Sequence, residues 1–308
     1  MFRPLRPALQ EKAIREVFEK PNRITSDIKT LREWLEKQPH LQAVNPSDQW
    51  LLSFLRGNKF SLEKTKEKLD MYYALKNIVP EIFKYRDPFD PKIQEILKLG
   101  PYLPLTSLTS DDGQRFCVTR FGLHDPNKIH IFDILKVIIM IIEILMFEDD
   151  NFIISGESLF IDLKDVSLIT FSQWTPNVAK KILVCVEKAL PVRMKSCHLL
   201  NIPPGFDTAF AIFRAFVSEK LKNRVHVYKK NYEEIFNTIP KNILPKELDG
   251  ETGTLQEIAD YWKAKVESYR DWFLNEEECS DESLRPGKPR SSSSIFGVEG
   301  SFRQLDVD

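Results

Sequence analysis

Glycine is scarce in this 308-residue sequence, and its spacing excludes the common nucleotide-binding loops. Only 11 glycines occur and no two are separated by a single residue, so the G-x-G fingerprint of dinucleotide-binding folds is absent. The dipeptide Gly287-Lys288 lies in a segment rich in proline and serine and does not end a P-loop. We therefore expect a protein without a nucleotide or other cofactor.

Cysteine is also rare, and histidine forms no metal-binding pattern. The four cysteines, Cys117, Cys185, Cys197 and Cys279, form no C-x-x-C pair, and the five histidines include no H-E-x-x-H. This scatter predicts no metal site and no disulfide framework. Met1–Gln10 lacks the apolar core of a secretory signal, so we expect a cytoplasmic protein. A formal net charge of −1 argues against binding of nucleic acid by the chain as a whole.

Long uninterrupted hydrophobic runs are missing. The most apolar segment, Ile131–Phe147, contains Asp133, Lys136 and Glu143. A membrane-spanning helix needs about 20 mostly apolar residues. We therefore predict a buried core helix here.

Catalytic motifs are incomplete. Gly156-Glu-Ser158-Leu-Phe160 begins like the nucleophile elbow of hydrolases but lacks its second glycine. Asp162 and Asp165 could form a carboxylate pair, but aspartate is common in the loop after a strand. No nucleophile–base pair emerges, and we expect a protein that is not an enzyme.

The order of apolar patterns predicts a helical N-terminal region followed by an α/β domain. Ser47 and Ser61 are candidate helix caps within a helical region of about ninety residues. Four strands then alternate with helices, which favours a mixed, largely parallel sheet. The expected strands are Arg115–Phe121, Ser158–Leu163, Ser196–Asn201 and Arg224–Tyr228, and the helices are Ile131–Phe147, Pro176–Ala189 and Phe206–Lys220.

The C-terminal part predicts one more helix and a tail. Thr254-Leu-Gln-Glu257 has the form of a capping box that opens a helix. Beyond Leu274 the sequence is acidic and then rich in proline and serine, which is typical of disorder. The expected domains are a helical region at 1–95, an α/β domain at 96–252, a helix at 253–275 and a disordered tail at 276–308.

One basic region contains an unusual phenylalanine stripe. Lys180–Lys230 holds eleven basic and three acidic residues, whereas Asn231–Asp308 holds nine basic and seventeen acidic ones. Inside the basic region, a helical stripe is built mainly of phenylalanine and includes Phe206, Phe210, Phe213 and Phe216. Such a stripe is usually core. Next to basic residues it also suits a movable helix that covers a cavity and contacts an anionic membrane surface.

Five motifs in order resemble the CRAL-TRIO lipid-transfer family, in the branch of α-tocopherol transfer protein and cellular retinaldehyde-binding protein. The similarity runs from about Trp50 to Gly250, and the terminal segment from Phe296 to Phe302 resembles the tail of insect members. The motifs are Phe54-Leu-Arg-Gly-Asn-Lys-Phe60, Phe160-Ile-Asp-Leu163 with Thr175-Pro176, Pro191-Val-Arg-Met-Lys195 with His198-Leu-Leu-Asn201, Glu219–His226, and Leu244-Pro-Lys-Glu-Leu-Asp-Gly250.

The resemblance implies a fold and a function. The fold is an N-terminal helical bundle and a mixed sheet whose helices enclose one apolar cavity under a lid helix. The function is to bind one small hydrophobic ligand and to carry it between membranes, with phosphoinositides as the docking surface. The implied cavity residues are Leu159, Ile161, Leu168, Trp174, Ile182, Val186, Cys197, Phe206, Phe210 and Phe213. The implied phosphoinositide-binding residues are Arg193, Lys195, Lys220 and Arg224.

Two alternatives remain open at this stage. The same fold could sense a lipid as a signalling or scaffold protein, with the acidic tail as its partner site. An enzyme acting on a lipid is the other alternative, for which the sequence offers no catalytic pair. The ligand itself is undetermined, because tocopherols, retinoids and carotenoids all suit a phenylalanine-rich apolar cavity.

Overall fold

The computed structural model describes residues 2–203, 205–206, 210, 217–228, 239–275 and 278–297. The N-terminal region is helical, as predicted. Its helices are α1 (Pro7–Val17), α2 (Ile24–Glu36), α3 (Asp48–Gly57), α4 (Leu62–Ile78), α5 (Pro80–Phe83) and α6 (Pro91–Leu99), with 3₁₀ turns at Pro21–Arg23 and Pro39–Leu41.

The helix starts follow local capping chemistry. The Ser47 hydroxyl accepts a hydrogen bond from the Trp50 backbone N–H at 3.2 Å and so begins α3 as predicted. Ser61 is the N-cap residue of α4, but its side chain makes no capping hydrogen bond. Trp50, Phe54 and Tyr72 from these two helices pack in a buried aromatic cluster with ring centroids 5.7–5.8 Å apart.

The second half is built on a mixed sheet of five strands in the order β1-β2-β3-β4-β5. The strands β2 to β5 are parallel, and β1 pairs with β2 in the antiparallel sense. The predicted parallel set is confirmed; the short β1 was not predicted. The strands are β1 (Tyr102–Pro104), β2 (Arg115–Arg120), β3 (Glu157–Asp162), β4 (Met194–Leu200) and β5 (Val225–Val227).

Helices connect and cover these strands. Between β2 and β3 the long α7 (Ile131–Glu148) is almost wholly buried, as expected for a core helix. No helix in the described ranges is long and apolar enough to span a bilayer. The other helices are α8 (Asp150–Ile154), α9 (Leu168–Gln173), α10 (Pro176–Val184) continued by a π-helical turn (Cys185–Ala189), α11 (Glu219–Lys222), α12 (Leu255–Ser268), α13 (Arg270–Asn275) and α14 (Ser292–Phe296).

The predicted lid helix Phe206–Lys220 lies largely outside the described residues. Phe206 and Phe210 are helical, and Gly205 before them has a φ of +83°, which glycine adopts without strain. At the other end the prediction is wrong. Ser218 is extended and caps the separate helix α11 by accepting a hydrogen bond from the Leu221 N–H, so no single helix runs through Ser218 to Lys220.

The C-terminal segment differs from the predicted disorder over residues 278–297. The Ser280 N–H donates to the Tyr73 carbonyl at 3.1 Å. Arg285 and Arg290 both pair with Asp70, at 2.8 and 2.7 Å. Farther along, Phe296 is buried and packs near Lys181 of α10. Two basic side chains of this segment are therefore paired with α4, which composition alone does not reveal.

A buried ion pair links α7 to the N-terminal bundle. Glu143 of α7 pairs with Arg86, and the side chains of both are at most 2% exposed. The Tyr72 hydroxyl of α4 donates to the same carboxylate at 2.7 Å. Because a buried charge that loses its partner is left uncompensated, each member depends strongly on the other.

The pair yields a stability prediction. Arg86→Met should lower the free energy of unfolding by about 3–5 kcal/mol, because removing one partner of a buried ion pair leaves charge on the other less compensated. In Arg86→Met/Glu143→Leu the loss should be smaller, because the carboxylate that Arg86 neutralises is removed together with it. Urea unfolding followed by circular dichroism measures both. A single variant as stable as the parent protein would contradict the prediction.

Candidate functional site

The sheet and its helices line an apolar cavity of about 230 Å³. This volume is somewhat below the ~300–1,000 Å³ typical of small-molecule pockets. One side is the face of the sheet formed by alternate strand residues, which include Thr119, Leu159, Ile161, Cys197 and Leu199. Alternate residues of a strand point to the same face, so apolar residues at these positions produce a continuous wall.

Eight of the ten cavity residues implied by the resemblance line this space. They are Leu159, Ile161, Trp174, Ile182, Val186, Cys197, Phe206 and Phe210. Phe206 contacts Phe171 edge to face at 5.9 Å and stacks on Phe210 at 5.3 Å. The ninth, Phe213, lies outside the described residues.

The structure differs from the prediction at Leu168, which does not line the cavity and is 82% exposed. Ser167 caps α9 by accepting a hydrogen bond from the Thr170 N–H at 3.1 Å. Thr170 is thereby buried. Helix residues two apart do not share a face, so Leu168 points to solvent. Val166 and Phe171 line the cavity instead.

The sequence analysis missed the contribution of α7. Leu135, Ile138 and Ile142 of this helix line the cavity. Their separations of three and four residues place them on one face. A segment that is apolar all round offers no contrast between faces, so its pattern showed a core helix without showing which face borders empty space.

A polar cluster was also missed at the start of β3. The Glu157 carboxylate accepts a hydrogen bond from the Tyr102 hydroxyl at 2.9 Å, and the Cys117 thiol lies 3.3 Å from the same hydroxyl. Burial raises the pKa of all three groups. Tyr102 and Glu157 line the cavity. The sequence signal that could have revealed this cluster is an acidic residue, Glu157, at the beginning of a buried strand.

The four predicted basic residues lie along neighbouring segments at one edge of the sheet. Arg193 and Lys195 both contact the Glu16 carboxylate of α1, at 3.4 and 3.1 Å. Partial burial opposes ionisation of Glu16, but the hydrogen bond from Lys195 and the charges of Lys12 and Arg193 lower its pKa overall. Arg224 donates to the Met194 carbonyl.

Lys220 joins this group through electrostatics. Burial lowers the pKa of Lys220, and so do the positive charges of Arg224, Lys59, Lys64 and Arg193. Like charges lower a lysine pKa only when they are near it. Lys59 therefore adds a positive charge to this basic group. Its neighbour Asn58 is uncharged, and the Asn58 side-chain amide donates a hydrogen bond to the Phe54 carbonyl.

Lys68 of α4 belongs to the same electrostatic environment. Burial, together with the positive charge of Lys220, lowers its pKa to about 8, although the charge of Glu187 acts in the opposite direction. Its ammonium group donates to the Leu190 carbonyl. Lys68 was not predicted, since nothing in the sequence brings it to the basic region.

The catalytic candidates from the sequence have structural roles. The Asp162 carboxylate accepts hydrogen bonds from the Asn201 amide at 2.7 Å and from the Lys164 backbone N–H at 2.9 Å. The Ser158 hydroxyl bonds to Ser196 at 2.8 Å. Among the described residues, no group of histidine, cysteine and acidic side chains could hold a metal ion.

The convergence of the basic residues gives a titration prediction. Lys68 should titrate near pH 8. Lys220→Met should raise this pKa, because a repelling charge is removed, and Glu187→Gln should lower it. Since folding lowers the pKa, the protein should gain stability as the pH rises from about 8 towards the ordinary lysine value.

NMR titration of the lysine ε-methylene groups measures the effect. Lys29→Met, on the exposed face of α2, serves as the control and should leave Lys68 unchanged. If Lys220→Met also left it unchanged, the two ammonium groups would not share one environment.

Comparison with known proteins shows which families and proteins this chain resembles. A family model described as the CRAL/TRIO domain matches residues 108–250, and one described as a Pinta-like UBA domain matches residues 20–93. The α-tocopherol transfer protein-like protein of Mus musculus is 28% identical over 87% of this chain and 76% of its own length. Clavesin-2 of Homo sapiens is 27% identical over 80% of this chain and 75% of its own length.

The solved structures support the fold. The crystal structure of Sfh5 aligns with a TM-score of 0.50 at 13% identity, over 80% of this chain and 98% of the other. At this identity the likeness concerns the fold alone. The matched domain model, the alignment with these relatives and the mixed sheet together assign residues 108–250 to the CRAL/TRIO domain family.

Proposed function

We propose that this protein binds one small hydrophobic lipid in its cavity and transfers it between membranes, docking on surfaces that carry phosphoinositides. The cavity supports the first part, because its lining is almost entirely apolar and its volume of about 230 Å³ leaves room for a single small ligand. Tocopherol-, retinoid- or carotenoid-like compounds are the proposed ligand class. The relatives' names include a tocopherol transfer protein-like protein, which fits this class.

One observation supports a link between ligand binding and membrane docking: residues that line the cavity and basic residues alternate along the same segments. Val192 and Met194 line the cavity, whereas Arg193 between them faces Glu16. Leu221 and Val225 likewise line it, next to Lys220 and Arg224. A membrane surface bound to these basic residues would therefore contact residues that are direct neighbours, along the chain, of residues that line the cavity.

The basic groups suit a phosphorylated headgroup. Guanidinium and ammonium groups are the usual partners of phosphate, and arginine can bind it through two parallel hydrogen bonds. Each well-placed basic residue contributes about 1 kcal/mol to binding of an anionic membrane surface. The Glu16 carboxylate occupies Arg193 and Lys195 in the described state, so a headgroup would have to displace it.

The scaffold alternative receives no support from the described part of the tail. Glu282 pairs with Arg285 at 2.5 Å, and its carboxylate also accepts a hydrogen bond from the Arg290 N–H at 2.8 Å. Acidic side chains used inside the protein are poor candidates for recruiting a partner. We also propose a non-catalytic role, because the catalytic candidates Ser158 and Asp162 make structural hydrogen bonds.

Ligand capture should be visible through Trp174, which lines the cavity beside Phe121. Titration with retinol, α-tocopherol or β-carotene should quench its fluorescence saturably for at least one compound, because a bound ligand lies against the indole ring. Trp174→Phe should remove the saturable component. Donor and acceptor vesicles should then exchange that compound faster with protein than without it.

Native mass spectrometry of the purified protein identifies any lipid that accompanies it. Failure of all three probes, together with extracts free of lipid, would sink the proposed function. Saturable binding without faster exchange between vesicles would instead favour lipid sensing.

Membrane docking makes a separate prediction. Arg193→Glu/Lys195→Glu should weaken binding to vesicles with phosphatidylinositol phosphates by at least about 30-fold, since two contributions of ~1 kcal/mol are lost. Glu16→Gln should strengthen the same binding, because it frees both basic groups. Co-sedimentation at physiological salt measures both.

The matched control is Lys29→Glu/Lys37→Glu, two exposed lysines of the N-terminal bundle. It changes the net charge equally and should alter vesicle binding little. Quenching of Trp174 should persist in every variant. If the control weakened binding as much as the charge reversal at Arg193 and Lys195, the attraction would be due to net charge and not to this site.

A further inference from the structure

Glu157 is an acidic side chain in the wall of an otherwise apolar cavity. It is 4% exposed and begins β3. Leu159 and Ile161 follow it on the same face of the strand and also line the cavity. Nothing in the apolar character of this wall requires a carboxyl group, and a leucine would fill the position without any cost of desolvation.

No cation among the described residues compensates the charge of Glu157. The described residues that line the cavity include no lysine, arginine or histidine. Arg115, the partner of Glu157 in the ladder between β2 and β3, binds Asp149 at 2.7 Å. The two side-chain partners of Glu157 are Tyr102 and Cys117, both of which are neutral at ordinary pH.

A buried carboxyl group without a cation is held in its neutral form. Desolvation moves the pKa of Glu157 in this direction, and it raises the pKa values of Tyr102 and Cys117 too. A neutral carboxyl group has a proton to donate as well as an oxygen that accepts. The Tyr102 hydroxyl has one proton, which it can give to Glu157 or to the Cys117 sulfur, and in the second case it can accept the carboxyl proton. In both arrangements Tyr102 contacts Oε2 of Glu157. Because Glu157 lines the cavity, Oε1 is the atom to which a ligand could hydrogen-bond.

We propose that Glu157, supported by Tyr102 and Cys117, is a polar anchor that binds a neutral hydroxyl or carbonyl oxygen at one end of the ligand, an inference that rests on the proposed lipid-binding function. Thr119, which pairs with Tyr102 across β1 and β2, lines the cavity nearby and adds a further hydroxyl. The anchor selects among hydrophobic lipids by the chemistry of one atom.

The anchor also predicts what the cavity rejects. A lipid carboxylate would place a negative charge in an apolar space that offers no cation, which is strongly unfavourable. A pure hydrocarbon would offer no hydrogen-bonding atom to Oε1 of Glu157, and a buried polar atom left without a partner is also unfavourable. The preferred ligands are therefore lipid alcohols, phenols, aldehydes and ketones.

Ligands that share one carbon skeleton test the inference. Retinol, retinal, retinoic acid and the matching hydrocarbon without oxygen are titrated against the full-length protein at pH 7.4, with Trp174 fluorescence as the readout. Retinol or retinal should bind about 3- to 10-fold more tightly than the hydrocarbon, as expected for one net hydrogen bond. Retinoic acid should bind at least about tenfold more weakly than retinol, because its charge must be buried.

Substitutions assign the preference to the anchor. Glu157→Leu should reduce the ratio of alcohol to hydrocarbon affinity to within about twofold, since the hydrogen bond is lost. Tyr102→Phe keeps the ring and should reduce the ratio less, and it provides a second variant should Glu157→Leu fold poorly. Ile182→Val, on the helical wall of the cavity, is the matched control: it should change all four affinities by a similar factor.

The outcomes separate this inference from the proposed function. If the parent protein binds all four compounds equally, the anchor is wrong while lipid binding stands. If it binds none of them and no lipid accompanies it, the proposed function itself fails. Infrared difference spectra give an independent readout: the band of a protonated carboxyl group should shift on addition of retinol and be absent in Glu157→Gln. A band that does not move on binding would also overturn the anchor.

Discussion

The structure depends on leaving one face of its sheet unpacked. A cavity of about 230 Å³ lowers stability by about 5 kcal/mol at ~24 cal/mol per Å³ of empty apolar space. That penalty is comparable with the total stability of many domains, ~5–15 kcal/mol. The rest of the fold must offset it without closing the cavity. The buried ion pairs of Arg56 with Glu19 and Asp150, and of Arg86 with Glu143, lie away from the cavity wall. They connect the N-terminal region to α7 and α8 through side chains that do not themselves line the cavity. A bound lipid fills the space and adds stability by mass action.

The C-terminal segment has a place in the same arrangement. Its arginines hold it on Asp70 of α4, and its Phe296 packs near Lys181 of α10, the helix that contributes Ile182 and Leu183 to the cavity wall. The segment therefore connects the N-terminal bundle to one wall of the ligand chamber. The composition of this tail predicted disorder, because few of its residues are apolar. The prediction fails for residues 278–297, where two arginines meet a single carboxylate and one phenylalanine finds a buried site. Composition averages over a segment and cannot register such isolated anchors.

The sequence predicts well what is periodic and poorly what depends on distant contacts. The parallel strands were predictable because continuous apolar runs alternate with helical ones, and eight cavity residues followed from matching motifs. Leu168 was misplaced because a short capped helix turns it outwards, which depends on a serine one residue earlier. The wall formed by α7 was invisible in a segment that is apolar on every side. Lys68 joins the basic residues only through the packing of α4, more than a hundred residues away from Arg193. Glu157 is visible in the sequence as an acidic residue in a strand. Its proposed role depends on the structure, in which no cation among the described residues faces it.

Glu157 and Arg193 show how closely opposed environments are placed. The Glu157 backbone N–H donates to the Arg193 carbonyl at 3.0 Å, yet the Glu157 side chain borders an apolar cavity and the Arg193 side chain pairs with Glu16. Gly156 makes this proximity possible, since a Cβ atom there would lie 2.2 Å from the Arg193 carbonyl oxygen, and its φ of +83° is unfavourable for other residues. The polar anchor and the basic residues consequently share one edge of the sheet, whereas Trp174 follows the opposite ends of the strands. An oxygenated lipid held by Glu157 would thus point its head towards the end of the sheet at which Arg193 lies, and its carbon chain towards Trp174 and Phe206.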